Sequence, residues 1–460
     1  MSMGAAYTPA QLERLRNVVA RIERIPFSGW HVRVRVIVGV ATFFDGFDSL
    51  MLAAILPVLF RLWHLRPEQV GVLLSAGYIG QAAGAVFFGW VAERFGRMKS
   101  LIATVGLYAL MSVGCAISWN FNSLFFFRVI QGVGLGGEIP IAASYISEFS
   151  RAKGRGRFVL LYECTMVIGV VISSLTSMVV IPHFGWRPMF YIGAVPAILA
   201  LLLRWIVPES PRWLAEKGRM DEAEKVVARI EDAASHHGKI KLPPVVPVVI
   251  ATRDARTRWS ELFSPAYLKR TIVIWTAYFA SYFVGQGFGV WAPTLFIQVF
   301  KVPLQTALRY NFYFSIDILI GTIICALLVD KVGRKLWFSA SFILGGMLLL
   351  CIWLFNARSE NIVLYFGVSA HGLIAMTSTA LFLYAPEVYP TRLRALGASL
   401  GSAWQRFGTL IAPLILGFIV GRSHLANGFL MFGLIIIVSG IIIWLLGVET
   451  KGRVLEEISP

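Results

Sequence analysis

Apolar residues along this 460-residue chain gather into long runs separated by short polar stretches. A run of about 18 or more apolar residues is long enough to cross a bilayer as a helix. Twelve such spans are predicted, at roughly 35–61, 69–92, 100–119, 122–147, 157–181, 188–207, 271–296, 307–329, 336–355, 362–385, 396–421 and 427–447. Six precede the main polar insertion and six follow it. The pattern therefore predicts an all-α polytopic membrane protein. It divides into an N-terminal segment (1–34), a six-helix bundle (35–207), a linker (208–269), a second six-helix bundle (270–447) and a tail (448–460).

The polar stretches have patterns of their own. Between residues 10 and 25, Leu12, Leu15, Val19, Ile22 and Ile25 recur near helical spacing with Arg and Glu between them. That pattern predicts an amphipathic helix lying in the membrane interface. In the linker, Glu216–Asp232 reads as a helix that Pro243, Pro244 and Pro247 bring to an end. The run Gln131-Gly-Val-Gly-Leu-Gly-Gly137 is glycine-rich but lies inside an apolar span with no strand before it. It reads as close helix packing rather than a phosphate loop.

One polar loop occurs twice. Gly89, Glu93, Arg94, Gly96 and Arg97 follow the second span, and Asp330, Lys331, Gly333 and Arg334 follow the eighth at matching spacing. Glu148 with Arg155 is echoed by Glu387 with Arg394, and Pro208-Glu209-Ser-Pro-Arg212 by Glu449-Thr-Lys-Gly-Arg453. The chain is an internal duplication, the build of many membrane transporters.

Composition agrees, at 57% hydrophobic and 15% charged residues, where soluble domains carry about 25% charged. A net charge of +17 raises nucleic acid as a partner, but placement argues against it. The bases cluster in the N-terminal segment, the linker and loops that share one side if the spans alternate. Excess Lys and Arg marks the cytoplasmic side, so both termini are expected there. The four cysteines all fall within spans, at no metal-binding spacing.

Charges inside the spans carry the chemistry, because each costs about 2.5–3.5 kcal/mol to insert. Asp45 and Asp48 sit three residues apart on one face of the first span, near mid-membrane. They are candidate proton carriers, the alternatives being a cap at a Gly46 break or a structural ion pair. Arg128 in the fourth span is the expected partner of a first-span carboxylate. Glu138 follows about 15 Å further along the same helix, with no evident partner. Glu163 lies in the fifth span. Arg406, about 16 Å into the eleventh, suits an organic carboxylate, since its planar fork matches that group. The alternative is an ion pair to Asp317 or another buried acid. Tyr282, Gln286, Trp291, Tyr384 and Trp404 are candidate ligand walls, while His371 reads as a core histidine.

On these residues the chain resembles the major facilitator superfamily. The duplicated loop matches that superfamily's signature and its repeat. Arg128–Gly132–Gly134–Gly136, Pro208–Leu214, Pro386–Thr391 and Glu449–Arg453 resemble the sugar porter branch and its organic-ion and synaptic-vesicle-glycoprotein-like relatives. Gly46-Phe47-Asp48 resembles a Gly-Tyr-Asp whose acid pairs with the fourth-helix Arg in proton-coupled sugar symporters. Ala280-Ser281 stands where sugar porters carry Gln-Gln, Gln286 replaces an Asn, and Glu163 replaces a sugar-contacting Gln. Asp45-Gly-Phe-Asp48 and Arg406–Pro413 resemble aromatic acid/proton symporters, and Gly136-Gly-Glu138-Ile-Pro140 resembles niacin-transporter members.

The resemblance implies a proton-coupled symporter of a small organic anion, such as nicotinate or a benzoate. Asp45, Asp48, Arg128 and Glu138 would handle the proton, and Arg406 the carboxylate. The duplicated loops would latch the two halves together in the outward-facing state. An organic cation or drug transporter, a sugar or polyol symporter, and a non-transporting nutrient sensor are the competing readings. The expected protein is a monomer in a bacterial inner membrane. It needs no cofactor beyond the proton, binds no metal or nucleic acid, and is not an enzyme.

Overall fold

A computed structural model describes residues 9–149, 155–196, 207–235, 241–246, 259–357, 359–421 and 425–451. The chain is all-α. After a short helix α1 (Pro9–Arg24) come α2 (Gly29–Leu62), α3 (Pro67–Phe95), α4 (Arg97–Ala116), α5 (Phe121–Phe149), α6 (Arg155–Phe184) and a short α7 (Arg187–Gly193). Helices α8 (Pro211–Glu216) and α9 (Met220–Ala234) belong to the linker. The second set is α10 (Leu268–Phe300), α11 (Leu304–Val332), α12 (Arg334–Leu354), α13 (Glu360–Val388), α14 (Thr391–Gly421) and α15 (Leu425–Leu446). Among the described residues, eleven helices are long and apolar enough to cross a membrane. The sixth expected span begins as α7, and its remainder, 197–206, lies outside the described residues.

Glycine sets how closely the helices of the first half approach. A Cβ on Gly132 would lie 2.1 Å from the Gly77 carbonyl oxygen, and one on Gly136 2.1 Å from that of Gln81. The glycine run of α5 is therefore a groove for α3, as its sequence suggested.

The duplicated loops fold into the same object twice. Gly96 and Gly333 both take positive φ, 114° and 100°, a region unfavourable for residues with a Cβ. Each turn is filled by a distant carboxylate. Glu209 Oε1 accepts from the Arg97 and Met98 backbone N–H groups at 2.9 and 3.1 Å. Glu449 accepts from those of Arg334 and Lys335 at 2.9 and 3.1 Å. An acid thus caps the positive end of α4 and of α12. Arg97 reaches Glu93 at 2.9 Å and Glu148 at 3.2 Å. Arg334 reaches Asp330 at 2.6 Å and Glu387 at 3.0 Å. Arg94 instead lies over the Trp90 and Phe95 rings, and a side chain at Gly89 would meet nothing within 4 Å. The ion pairs of Arg97 and Arg334 run within their own half. Arg394 is half-buried in the first turn of α14, and the side chain of Arg155 lies outside the described residues.

Helix α1 corrects the expectation of an interfacial helix. Its apolar face, Leu15, Val18 and Ile22, continued by Ile25 just after the helix, is buried in one cluster with Trp213, Met220, Ala223, Val227 and Ile230 of α8 and α9. The flanks are tied by Arg14–Asp221 at 2.6 Å, Arg21–Glu231 at 2.6 Å, Arg24–Glu231 at 2.7 Å and Arg212–Glu23 at 2.9 Å. A complementary stripe on α9, distant in sequence, covers the face that a lipid surface was expected to take. This three-helix platform is fixed to the first half, where Trp213 Nε1 donates to the Glu93 carbonyl at 3.1 Å and Tyr145 to that of Pro208.

The platform and both duplicated loops share one side of the molecule, here the tail side. The two halves meet towards the other. Ser75 donates to the Leu410 carbonyl at 2.8 Å, and Arg406 to that of Gln81 at 3.2 Å. Gln305 donates to the Met178 carbonyl at 3.4 Å, and Ser174 is bonded to Ser315 and Asn311. Arg406 and Gln81 lie midway along α14 and α3, and the other residues lie in the parts of α3, α6, α11 and α14 further from the tails.

Candidate transport site

The site is built first on one face of α2. The helix runs unbroken through Gly46, so neither Asp45 nor Asp48 caps a break. A Cβ on Gly46 would lie 2.0 Å from the Met166 carbonyl oxygen, which explains the glycine by contact with α6. Thr42, Asp45 and Asp48 follow at three-residue intervals and all are buried.

Asp48 is bonded at both carboxylate oxygens. Arg128 Nη1 donates to its two oxygens at 2.9 and 2.8 Å, and Gln131 Nε2 donates to Oδ1 at 3.0 Å. Arg128 also donates to Gln131 Oε1 at 2.8 Å, and Gln131 to Ser112 at 2.6 Å. The expected Asp48–Arg128 pairing is present. Gln131 is the member that sequence reading missed, since it was absorbed into the glycine run; its place one helical turn after Arg128 was the available signal. A buried pair of this kind is held by full hydrogen bonding, and removing one partner leaves an uncompensated charge.

Glu138 acquires a partner that the sequence did not reveal. Thr42 Oγ1 donates to its Oε1 at 3.0 Å, with Glu138 fully buried. The α2 face therefore reads Thr42 to Glu138 and Asp48 to Arg128, with Asp45 between. The side chain of Glu163 lies outside the described residues.

Arg406 enters from the other half. It is half-buried, and Asp45 is the acid whose field reaches it. It forms no pair with Asp317, whose carboxylate lies 3.0 Å from Nδ1 of His371. A narrow cleft lies between the halves, lined by Asp48, Ser49, Tyr78, Gln81, Arg128 and Val290. Gln286 precedes Val290 by one turn on α10, and Tyr282 precedes Gln286 by another; both are half-buried.

The remaining aromatic candidates differ in burial. Trp291 is fully buried and donates to the Pro413 carbonyl at 3.2 Å, so it packs α10 on α14. Tyr384 is fully buried at the tail end of α13, where its hydroxyl donates to the Val448 carbonyl at 2.8 Å. In each the polar atom is already bonded to backbone. Trp404 is half-buried among Trp275, Phe279 and Phe407, with centroids 5.2, 6.1 and 5.4 Å away.

Duplicated loops, membrane-crossing helices and a charged centre between two halves define a major facilitator transporter rather than an enzyme. The description "Sugar (and other) transporter" matches residues 42–460, and the chain belongs to that family. It is 34% identical to the niacin transporter NiaP of Acinetobacter baylyi over 96% of this chain and 99% of that one. It is 30% identical to a gallate transporter of Pseudomonas putida over 86% and 87%. Among solved structures, a D-xylose–proton symporter superposes with a TM-score of 0.73 at 19% identity, covering 91% of this chain and 98% of that one.

Proposed function

We propose that the protein is a proton-coupled symporter of a small aromatic or heterocyclic monocarboxylate, with nicotinate as the first compound to test. The observation that carries this reading is the placement of Arg406. It stands in the second half and bonds across the boundary to the Gln81 carbonyl of the first, with Asp45 of that half bearing on it electrostatically. A substrate carboxylate can take the Arg406 fork in place of the bond that Arg406 donates to the Gln81 carbonyl. The names of the relatives support the class, since niacin and gallate are both ring carboxylic acids.

Protonation of Asp48 removes the charge that holds Arg128, and Gln131 remains to keep the guanidinium solvated by protein. The loosened α2–α5 contact then permits the halves (35–207 and 270–447) to rock about the central cleft. The Lys and Arg excess orients the tail side to the cytoplasm. Contact on the opposite side then corresponds to an inward-facing state. In that state each duplicated loop bonds within its own half, and the cross-half latch belongs to the outward-facing state.

Binding tests the carboxylate role directly. Nicotinate should raise the melting temperature of the wild type, because a ligand of the folded state stabilises it. Arg406→Ala should weaken affinity by about 10- to 100-fold, the value of a charge-assisted pair, with Arg406→Lys in between. Undiminished affinity in Arg406→Ala removes Arg406 from the site.

A further inference from the structure

The second half holds a buried titratable pair that the transport reading above does not use. Asp317 on α11 places both carboxylate oxygens 3.0 Å from Nδ1 of His371 on α13. The side chains are only 11% and 7% exposed. The imidazole is wedged between α10 and α11. Its ring lies 5.3 Å from Phe314 in an edge contact, and a Cβ on Gly289 of α10 would meet Nε2 at 2.8 Å. Gly289 therefore leaves the room that His371 occupies. Helix α12 packs on α13 through Gly345 against Ala370 and Ile374. Among the described residues, Asp317 is the charged group that these faces bring to the imidazole, and His371 is the charged group that bears on Asp317. Arg406 on α14 answers to Asp45 instead.

The pair sits next to a boundary between the halves. Asn311 and Ser315, two turns and less before Asp317 on α11, bond to Ser174 of α6. Phe314, which touches His371, lies between them in sequence and packs on Phe288. With one proton the pair is neutral overall, as carboxylate–imidazolium or as acid–imidazole. A second proton from solvent makes it a cation, and loss of the first leaves a buried carboxylate alone. Either change is costly inside the membrane and alters how firmly α11 is held to α13. Histidine is the side chain that ordinarily changes charge in the physiological range.

We propose that Asp317 and His371 form a second proton-binding site, in the second half, which acts on the α6–α11 contact. Each half then carries a protonatable lock, Asp48–Arg128 in one and Asp317–His371 in the other. The place of the site in a transport cycle rests on the proton-coupled reading, but its test needs no substrate, so the two can fail separately.

The test is a spin-label distance across the boundary, with labels at Phe184→Cys on α6 and Arg309→Cys on α11, both exposed. Cys164 and Cys351 are replaced by Ser, and Asp48→Asn silences the first lock. Between about pH 8 and about pH 5.5 the distance distribution should shift in this background. Adding Asp317→Asn with His371→Gln should remove at least half of that shift. His371→Gln alone should do the same while keeping a hydrogen bond to Asp317, so loss of folding is separable by its elution and melting behaviour. A shift that survives by more than half in both variants, or no shift in any protein, overturns the proposal.

Discussion

The tail-side loops and the membrane centre descend from the same duplication and have gone different ways. At the loops, Glu93–Arg97–Glu148–Glu209 and Asp330–Arg334–Glu387–Glu449 repeat one geometry, down to the positive-φ glycine and the carboxylate that caps the next helix. At the centre, one half holds Asp48–Arg128–Gln131 and the other Asp317–His371, with Arg406 in the field of Asp45. The loops solve a backbone problem, a tight turn into a helix that needs its free N–H groups bonded, and that problem is the same in both halves. The centre solves a chemical one, and two halves doing different chemistry need different groups.

The largest effect should come from splitting the centre. Arg128→Ala leaves the Asp48 charge in the membrane interior without its cation, held by the Gln131 amide, and should cost about 3–5 kcal/mol, read as a fall in melting temperature. Asp48→Asn in the same protein should restore much of it. Equal loss in single and double variants would show that Arg128 acts by packing rather than charge.

The equivalence of the loops is the next target. Gly96→Ala and Gly333→Ala should each destabilise by about 1–3 kcal/mol, since each forces a Cβ into positive φ and against a carboxylate. The two losses should agree closely. Tolerance at one site and not the other breaks the comparison. Glu209→Gln and Glu449→Gln should cost less, about 0.3–1 kcal/mol each, by weakening the charge at a helix N-terminus.

The smallest effect concerns the α1 platform, which has no counterpart in the second half among the described residues. Burial raises the Glu231 carboxyl, but the hydrogen bonds from Arg21 and Arg24 outweigh it and hold the group below its usual range. A depressed carboxylate contributes stability above its unfolded value, near pH 4.3, and that contribution is lost as pH falls through the folded value. Protection of α1 amides from exchange should therefore drop as pH is lowered below about 4. Arg21→Ala should lower that protection at neutral pH by less than about 1 kcal/mol.

How much was legible follows from what each feature depends on. The spans and the duplicated loops are local patterns, so hydropathy and spacing revealed them. The Asp48–Arg128 pair was legible because a buried Arg demands an acid and the first span offered two. Gln131 was hidden by its glycine neighbours. The bond between Asp317 and His371 joins helices that composition gives no reason to connect. Trp291 and Tyr384 looked like ligand walls because their backbone partners, Pro413 and Val448, are set only by tertiary packing. The apolar stripe of α1 suited lipid equally well until α9 was seen to cover it.

The central claim is a division of labour, with the proton that drives accumulation carried by Asp48 of the first half and the carboxylate recognised by Arg406 of the second. Nicotinate flux into proteoliposomes tests it, comparing accumulation driven by a pH gradient with exchange at equal pH. Asp48→Asn should lose gradient-driven accumulation and keep exchange, whereas Arg406→Ala should lose both. Accumulation that persists in Asp48→Asn, or exchange that persists in Arg406→Ala, would contradict the account.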